Sequence, residues 1–281
     1  MFLRFSSKTS LGIITLIISL FGFISSCSMN NRGDFYNENK NKKIVLTTFT
    51  VLEDMAKNVA GNRFIIKSIT KKGVEIHGYQ PTPSDLVRAS KADLIIQNGL
   101  GLELWSKKFL MNLGDVPSVV LSEGIQPLFI EGDAYAGKPN PHVWMSPKRA
   151  IKYVDKLVES FTNLDPLGAK EFEDNGRNYK EKLLKLDKEL RSSLALIPYK
   201  KRVLVSCEGA LSYLAKDYGM EEAYLWPVNA ESQVTPKRML RLIQTVKEKA
   251  IPAVFCESTV NSKAQQEVAR ASGAKFGGTF Y

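Results

Sequence analysis

Histidine is scarce in this chain of 281 residues, which carries two, and cysteine is hardly commoner, with three. The two histidines stand far apart, so the His-Glu-x-x-His helix that sets two imidazoles one turn apart for zinc hydrolysis is excluded. Long apolar runs are scarce as well. The one that stands out, "LGIITLIISLFGFI" from Leu11 to Ile24, is shorter than the roughly 20 residues a spanning helix needs. A multi-span membrane protein is therefore excluded. Apolar residues at 44% and charged residues at 24% fit a soluble globular chain, long enough for two domains and a sizeable core.

Basic charge is not lacking. Lys and Arg outnumber Asp and Glu by 39 to 29, a net +10, which raises nucleic acid or an anionic membrane as a partner. The lysines are scattered and no motif interleaves basic with aromatic residues, so no nucleic acid is expected and the excess reads as a solvated surface.

Arg4 and Lys8 precede the apolar run and "ISSC" closes it at Cys27, the order of a secretory signal peptide over residues 1–27. "ISSC" resembles the lipobox of bacterial lipoproteins, which implies that Cys27 is acylated and anchors the mature chain to a membrane. Residues 28–42, beginning "SMNNRGDFYNENK", are polar and rich in Asn and Lys, as a flexible tether is. The expected location is extracytoplasmic.

From Lys43 strands and helices alternate. Strands are expected at "KIVLTTF", "FIIKSIT", "ADLIIQNG" and "PSVVLSEG", with helices near Val51–Ala60 and after Thr82 or Ser84, where Asp85 sits in the first turn. Ile151, Val154, Leu157 and Phe161 line a helix capped by Ser146. A far longer helical pattern follows, with Tyr179, Leu183, Leu186, Leu190 and Leu194 on one stripe. After Pro198 come strand "RVLVSCEG", helix "ALSYLAKDYG", a proline-containing loop, helix "TPKRMLRLIQTVKEKA", strand "AVFCES", helix "NSKAQQEVARASG" and "AKFGGTFY". The prediction is an α/β fold of two lobes, 43–165 and 198–281, each a mostly parallel sheet with flanking helices, joined by one long rigid helix over 166–197. Ligands of such sheets sit at the carboxyl ends of strands. Trp105, Trp144 and Trp226 are expected at lobe edges. Cys207 and Cys256 end two apolar, strand-like stretches and are either a disulfide, fitting an oxidising compartment, or two buried thiols.

His77 lies in "GVEIHGYQPTPSDL" and His142 in "KPNPHVWMSP". Pro81, Pro83, Pro139, Pro141 and Pro147 limit backbone freedom there, and a stiff loop loses less entropy on gripping a ligand. Imidazole suits Mn, Fe, Zn and Cu. A lone loop histidine is more often plain surface. Glu208 follows a strand directly and is either a third ligand or an acid placed by a helix dipole. Asp85 and Glu257 are looser candidates, explained as well by a helix start and a strand end.

"HGYQPTPSDL", "NGLGLELW", "NPHVWMSP" and "AVFCESTVNSKAQQEVARASGAKFGGTFY" resemble, in order, segments of the metal-binding lipoproteins of manganese and zinc ABC importers. The third resembles an Asp-Pro-His-x-Trp-Leu-Ser-Pro segment. The resemblance runs from Lys43 to the end and is closest to cyanobacterial manganese-binding members, which carry cysteine immediately before the ligand Glu. It implies two lobes joined by a rigid helix, with metal held between them by His77, His142 and Glu208. It also implies a fourth ligand, an aspartate in a segment resembling Tyr-Val-Asp-Ser-Leu. The sequence ends at Tyr281, so either the end of the second lobe is missing or the site has three ligands. Glu231, in a stretch resembling Glu-x-x-x-Pro, reads as a surface or capping acid.

A Glu where zinc-preferring members carry His, and no His-rich acidic loop, tilt the expected cargo to Mn²⁺ over Zn²⁺. The expected partners are a divalent cation and the subunits of an ABC permease, and no catalysis is expected. The rivals are a metallohydrolase using the His/His/Glu site plus water, for which no separate general base stands out, and a surface adhesin.

Overall fold

Four short aliphatic runs, β1 (Ile44–Thr47), β2 (Ile65–Ser68), β3 (Leu94–Gln97) and β4 (Ser118–Val120), pair in parallel in the order β2-β1-β3-β4. The computed structural model describes residues 42–131, 135–228 and 234–280. The expectations for the signal segment, Cys27, all of the tether but its last residue, and Glu231 fall outside them. Helices α1 (Thr50–Ala60), α2 (Pro83–Ala89), α3 (Ser106–Met111) and α4 (Pro147–Leu164) surround the sheet. Successive strand residues face opposite sides. Val45, Ile66, Leu94 and Ile96 enter a core with α1 and α4, while Leu46 and Ile95 meet Ala89 and Phe109 on the other side. Coverage of both faces is why the strands read as unbroken apolar runs rather than alternating ones.

Helix α2 begins as expected. The Thr82 hydroxyl and the Asp85 carboxylate form a capping box, and Asp85 also accepts from Tyr79 Oη and Arg88. Helix α4 differs: Ser146 stands at its N-cap, but its hydroxyl makes no cap bond and donates to Asp217 Oδ2 at 2.7 Å. That carboxylate, 71 residues away, is the stronger acceptor because it is charged.

Helix α5 (Ala169–Ala195) has 27 residues and follows a 3₁₀ turn at Pro166–Gly168, which makes it about 40 Å long. It crosses α4 closely at Gly176, where a Cβ would stand 2.5 Å from Val158 Cγ2. Phe172 is buried, and Tyr179 and Leu183 pack on the first core. Leu186 departs from the expected stripe and is exposed, although Leu183, one turn earlier, still packs on the first core.

The second half holds β5 (Val203–Glu208), α6 (Ser212–Asp217), β6 (Glu221–Trp226), α7 (Pro236–Glu248), β7 (Ala253–Glu257), α8 (Lys263–Ser272) and β8 (Lys275–Phe280). Strands β5 and β6 pair in parallel, as do β7 and β8. A Cys207–Cys256 disulfide joins β5 to β7, with Cα atoms 4.8 Å apart, so the cysteines are bonded and not free thiols. Strand β6 and helix α3 had no counterpart in the sequence reading. Trp226 is 1% exposed inside the second core, a correction to its expected edge position. Among the described residues no helix is long and apolar enough to cross a membrane.

From Lys43 onward the chain clusters as one unit, and α6 ties its halves. Arg149 makes a two-pronged ion pair with Asp217 and lies 4.7 Å above the Tyr213 ring. Tyr213 itself is buried in the first core. Arg191 of α5 donates to the Asp217 carbonyl and Tyr218 Oη donates to Asp187.

The disulfide closes a separation of 49 residues, for which restriction of the unfolded chain contributes about 4 kcal/mol in the loop-entropy picture. Urea unfolding with and without a reductant should show reduced protein losing 2 to 4 kcal/mol, on the order typical of native disulfides; an unchanged midpoint would refute this.

Candidate metal centre

His77 stands between β2 and α2, in a loop held by more than its prolines. Glu75 accepts from the His77 and Gly78 N–H groups at 2.7 Å each, and Trp105 Nε1 donates to the Ile76 carbonyl at 2.9 Å. Tyr79 packs edge-on to Trp105 while its hydroxyl reaches Asp85. The backbone on either side of the imidazole is thereby fixed, and its side chain is 6% exposed.

His142 precedes a 3₁₀ turn at Val143–Met145 and packs against Trp144, with ring centroids 5.2 Å apart. Its Nδ1 lies 3.0 Å from Asn140 Oδ1, an atom that also accepts from the His142 N–H. Glu208 ends β5, the carboxyl end of a parallel strand. Its backbone N–H donates to Glu257 Oε2, and its carbonyl accepts from Ser206 Oγ.

Folding brings these residues together. Glu208 Oε1 lies 3.5 Å from His77 Nε2 and 4.0 Å from His142 Nε2, the imidazoles are 5.3 Å apart between centroids, and the candidate ligand atoms all lie within 4.8 Å of one another. A cation bonded at about 2 Å to each sets its ligand atoms about 3 to 4 Å apart, so the donor set fits a divalent metal with little movement. Two neutral nitrogens and one carboxylate oxygen suit first-row cations.

Protonation follows position. Burial opposes charge on His77, yet the Glu208 carboxylate, helped by Glu75 and Glu103, holds its pKa above the ordinary value. Burial pushes His142 down to about 4, with only partial compensation from Glu208. Burial and the nearby Glu208 charge push Glu257 up to about 8. Glu257 thus stands behind Glu208 as a neutral acid, not among the ligand atoms. The grouping of Cys207, Cys256 and Glu257 offers no thiolate, because the sulfurs are bonded to each other. Asp85 is spent on its capping box.

Several residues that hold this centre carry a role the sequence reading did not suggest. Asn140, Glu75 and Trp105 fix the two histidine loops, and Glu103 accepts from Thr48 Oγ1 and the Asn98 and Gly99 N–H groups to close the turn after β3. A signal existed for two of them: Glu75 and Asn140 each stand two residues before a histidine, within reach of its N–H.

Two lobes closing on a buried donor set at their strand ends define a binding protein that encloses a small ligand. The chain matches, over residues 45–281, the family described as zinc-uptake complex component A periplasmic, ZnuA. It is 45% identical over 267 residues to the iron-binding protein YfeA of Yersinia pestis, covering 94% of this chain and 85% of that one. It is 32% identical over 272 residues to the manganese ABC transporter substrate-binding lipoprotein PsaA of Streptococcus pneumoniae, covering 94% and 87%. The Mn-bound periplasmic metal binding protein of Candidatus Liberibacter asiaticus superposes with a TM-score of 0.78 at 34% identity, over 85% of this chain and 89% of that one. The periplasmic zinc binding protein TroA of Treponema pallidum does so at 0.79 and 30%, over 86% and 89%. The chain belongs to this family of substrate-binding components of ABC metal importers, and it is not an enzyme.

In metal-free protein, NMR titration should place His77 above 6.5 and His142 near 4. Metal needs both imidazoles neutral, and a raised pKa means that His77 takes up a proton first as pH falls. Affinity should therefore fall as the pH is lowered into the ordinary imidazole range, beginning above 6.5. A flat profile would contradict the role of His77.

Proposed function

We propose that this chain captures Mn²⁺ with His77, His142 and Glu208 and hands it to an ABC permease, held at the membrane by a lipid on Cys27. What supports the reading is one observation above the rest: the three side chains, far apart in sequence, bring their donor atoms within 4.8 Å of one another. The carboxylate favours a harder ion than a set of imidazoles alone does, and manganese is named for PsaA and for the Liberibacter structure.

Fe²⁺ is the second reading. The relative at 45% identity is named iron-binding, and two His with one carboxylate is a ligand set Fe²⁺ also takes. Capture needs no wide hinge. Metal entry and exit then proceed by local shifts of the His77 and His142 loops against Glu208.

Radioactive Mn²⁺ and Fe²⁺ uptake should be measured in cells lacking the gene and complemented with the chain or with Glu208→Ala. Mn²⁺ uptake restored by the chain, and by Glu208→Ala at less than a tenth of that rate, is expected. Restoration of Fe²⁺ uptake alone would move the assignment to iron, and full activity of Glu208→Ala would remove Glu208 from the site.

A further inference from the structure

The Asn140 side chain lies in the seam between the lobes, 3% exposed, with every hydrogen-bonding position taken. Oδ1 accepts from the His142 N–H at 3.0 Å and faces His142 Nδ1 at 3.0 Å. Nδ2 donates to the Gly209 carbonyl at 2.7 Å and to Ser212 Oγ at 3.1 Å. The amide's sense is fixed from both ends, because a backbone N–H only donates and a carbonyl only accepts. His142 Nδ1 must then carry the proton, which leaves the Nε2 lone pair facing Glu208.

The partners across the seam have little freedom. Gly209 N–H donates to the Pro227 carbonyl, and a Cβ on Gly209 would stand 2.5 Å from that oxygen, so the strand end can neither swing nor accept a side chain. Ser212 Oγ donates to Glu222 Oε2 at 2.6 Å, which leaves its lone pairs for Asn140. Tyr213 Oη donates to the Asn140 carbonyl at 2.6 Å while accepting from Leu128 N–H. Gly209 is the residue after Glu208.

We propose that Asn140 is a positioning residue that couples the two lobes' ligands: one amide holds His142 in the tautomer presenting Nε2 and holds the strand end that carries Glu208. The assignment rests on the metal-capture reading of the same site. A carboxylate at this position keeps the bond to His142 but turns an oxygen on the Gly209 carbonyl. Alanine breaks both links. Separating His142 from Glu208 to free a metal ion must stretch the Asn140 bonds, so the amide holds the empty site ready and slows release.

The test uses the mature chain. In metal-free protein, nitrogen-detected NMR of His142 should show the Nδ1–H tautomer alone; the Nε2–H tautomer would overturn the assignment without any variant. Mn²⁺ affinity, read by competition with a chelating dye, should fall 10- to 100-fold in Asn140→Ala, the range for loss of a residue orienting a metal ligand. The double variant with His142→Ala should lose less affinity than the two single losses combined, since part of the effect of Asn140 passes through that imidazole and the rest through the Glu208 strand end. A loss under tenfold in Asn140→Ala, or losses that add in the double variant, would overturn the proposal. Wild-type affinity in His142→Ala would instead sink the metal reading, and the tautomer would still decide the role of Asn140.

Discussion

A carboxylate buried to 5% exposure governs the centre of this molecule. Removing a charge from water is costly unless it is met by an opposite charge or a metal. Glu208 is met by two imidazoles that come from the other half of the chain. The consequences spread outward: His77 gains proton affinity and Glu257, itself buried, loses its charge, while burial keeps His142 neutral against the pull of the same carboxylate. A divalent cation answers the same demand more fully, since it brings two positive charges to donors already aimed at it.

That demand requires the halves to be held in register, and the fold does so several times over. The disulfide locks the Glu208 strand to β7. Gln265 donates to the Ser206 carbonyl just upstream. Helix α6 follows β5 yet sends Tyr213 into the core of the first lobe and Asp217 to Arg149 and Ser146. Helix α5 then fastens the far end through Arg191 and Tyr218. A hinge motion must break the α6 and α5 links together, whereas a loop shift at His77 leaves them intact. The architecture therefore favours capture by local adjustment over wide closure.

Much of the fold was legible because local signals agreed. The Thr82–Asp85 box, the aliphatic strand runs and the length of α5 are each written in neighbouring residues. Where the reading failed, a distant partner had intervened. Ser146 abandoned its cap for Asp217. Strand β6 opens with two glutamates and hid its character, since Glu222 is accommodated by partners outside the strand, among them the Ser212 hydroxyl ten residues back. Trp226 was assigned by its size to an edge and fills a core.

The sequence by itself determined that there are two βα halves about a long helix, and that its only two histidines sit in proline-stiffened loops. Periodicity, caps and prolines act over a few residues and need no partner to be read. Only the tertiary structure decided that His77, His142 and Glu208 meet, that Cys207 pairs with Cys256, and that Asn140 bridges His142 to Gly209. Each of those facts joins positions tens of residues apart, and the energy that selects them exists only once the chain has folded back on itself.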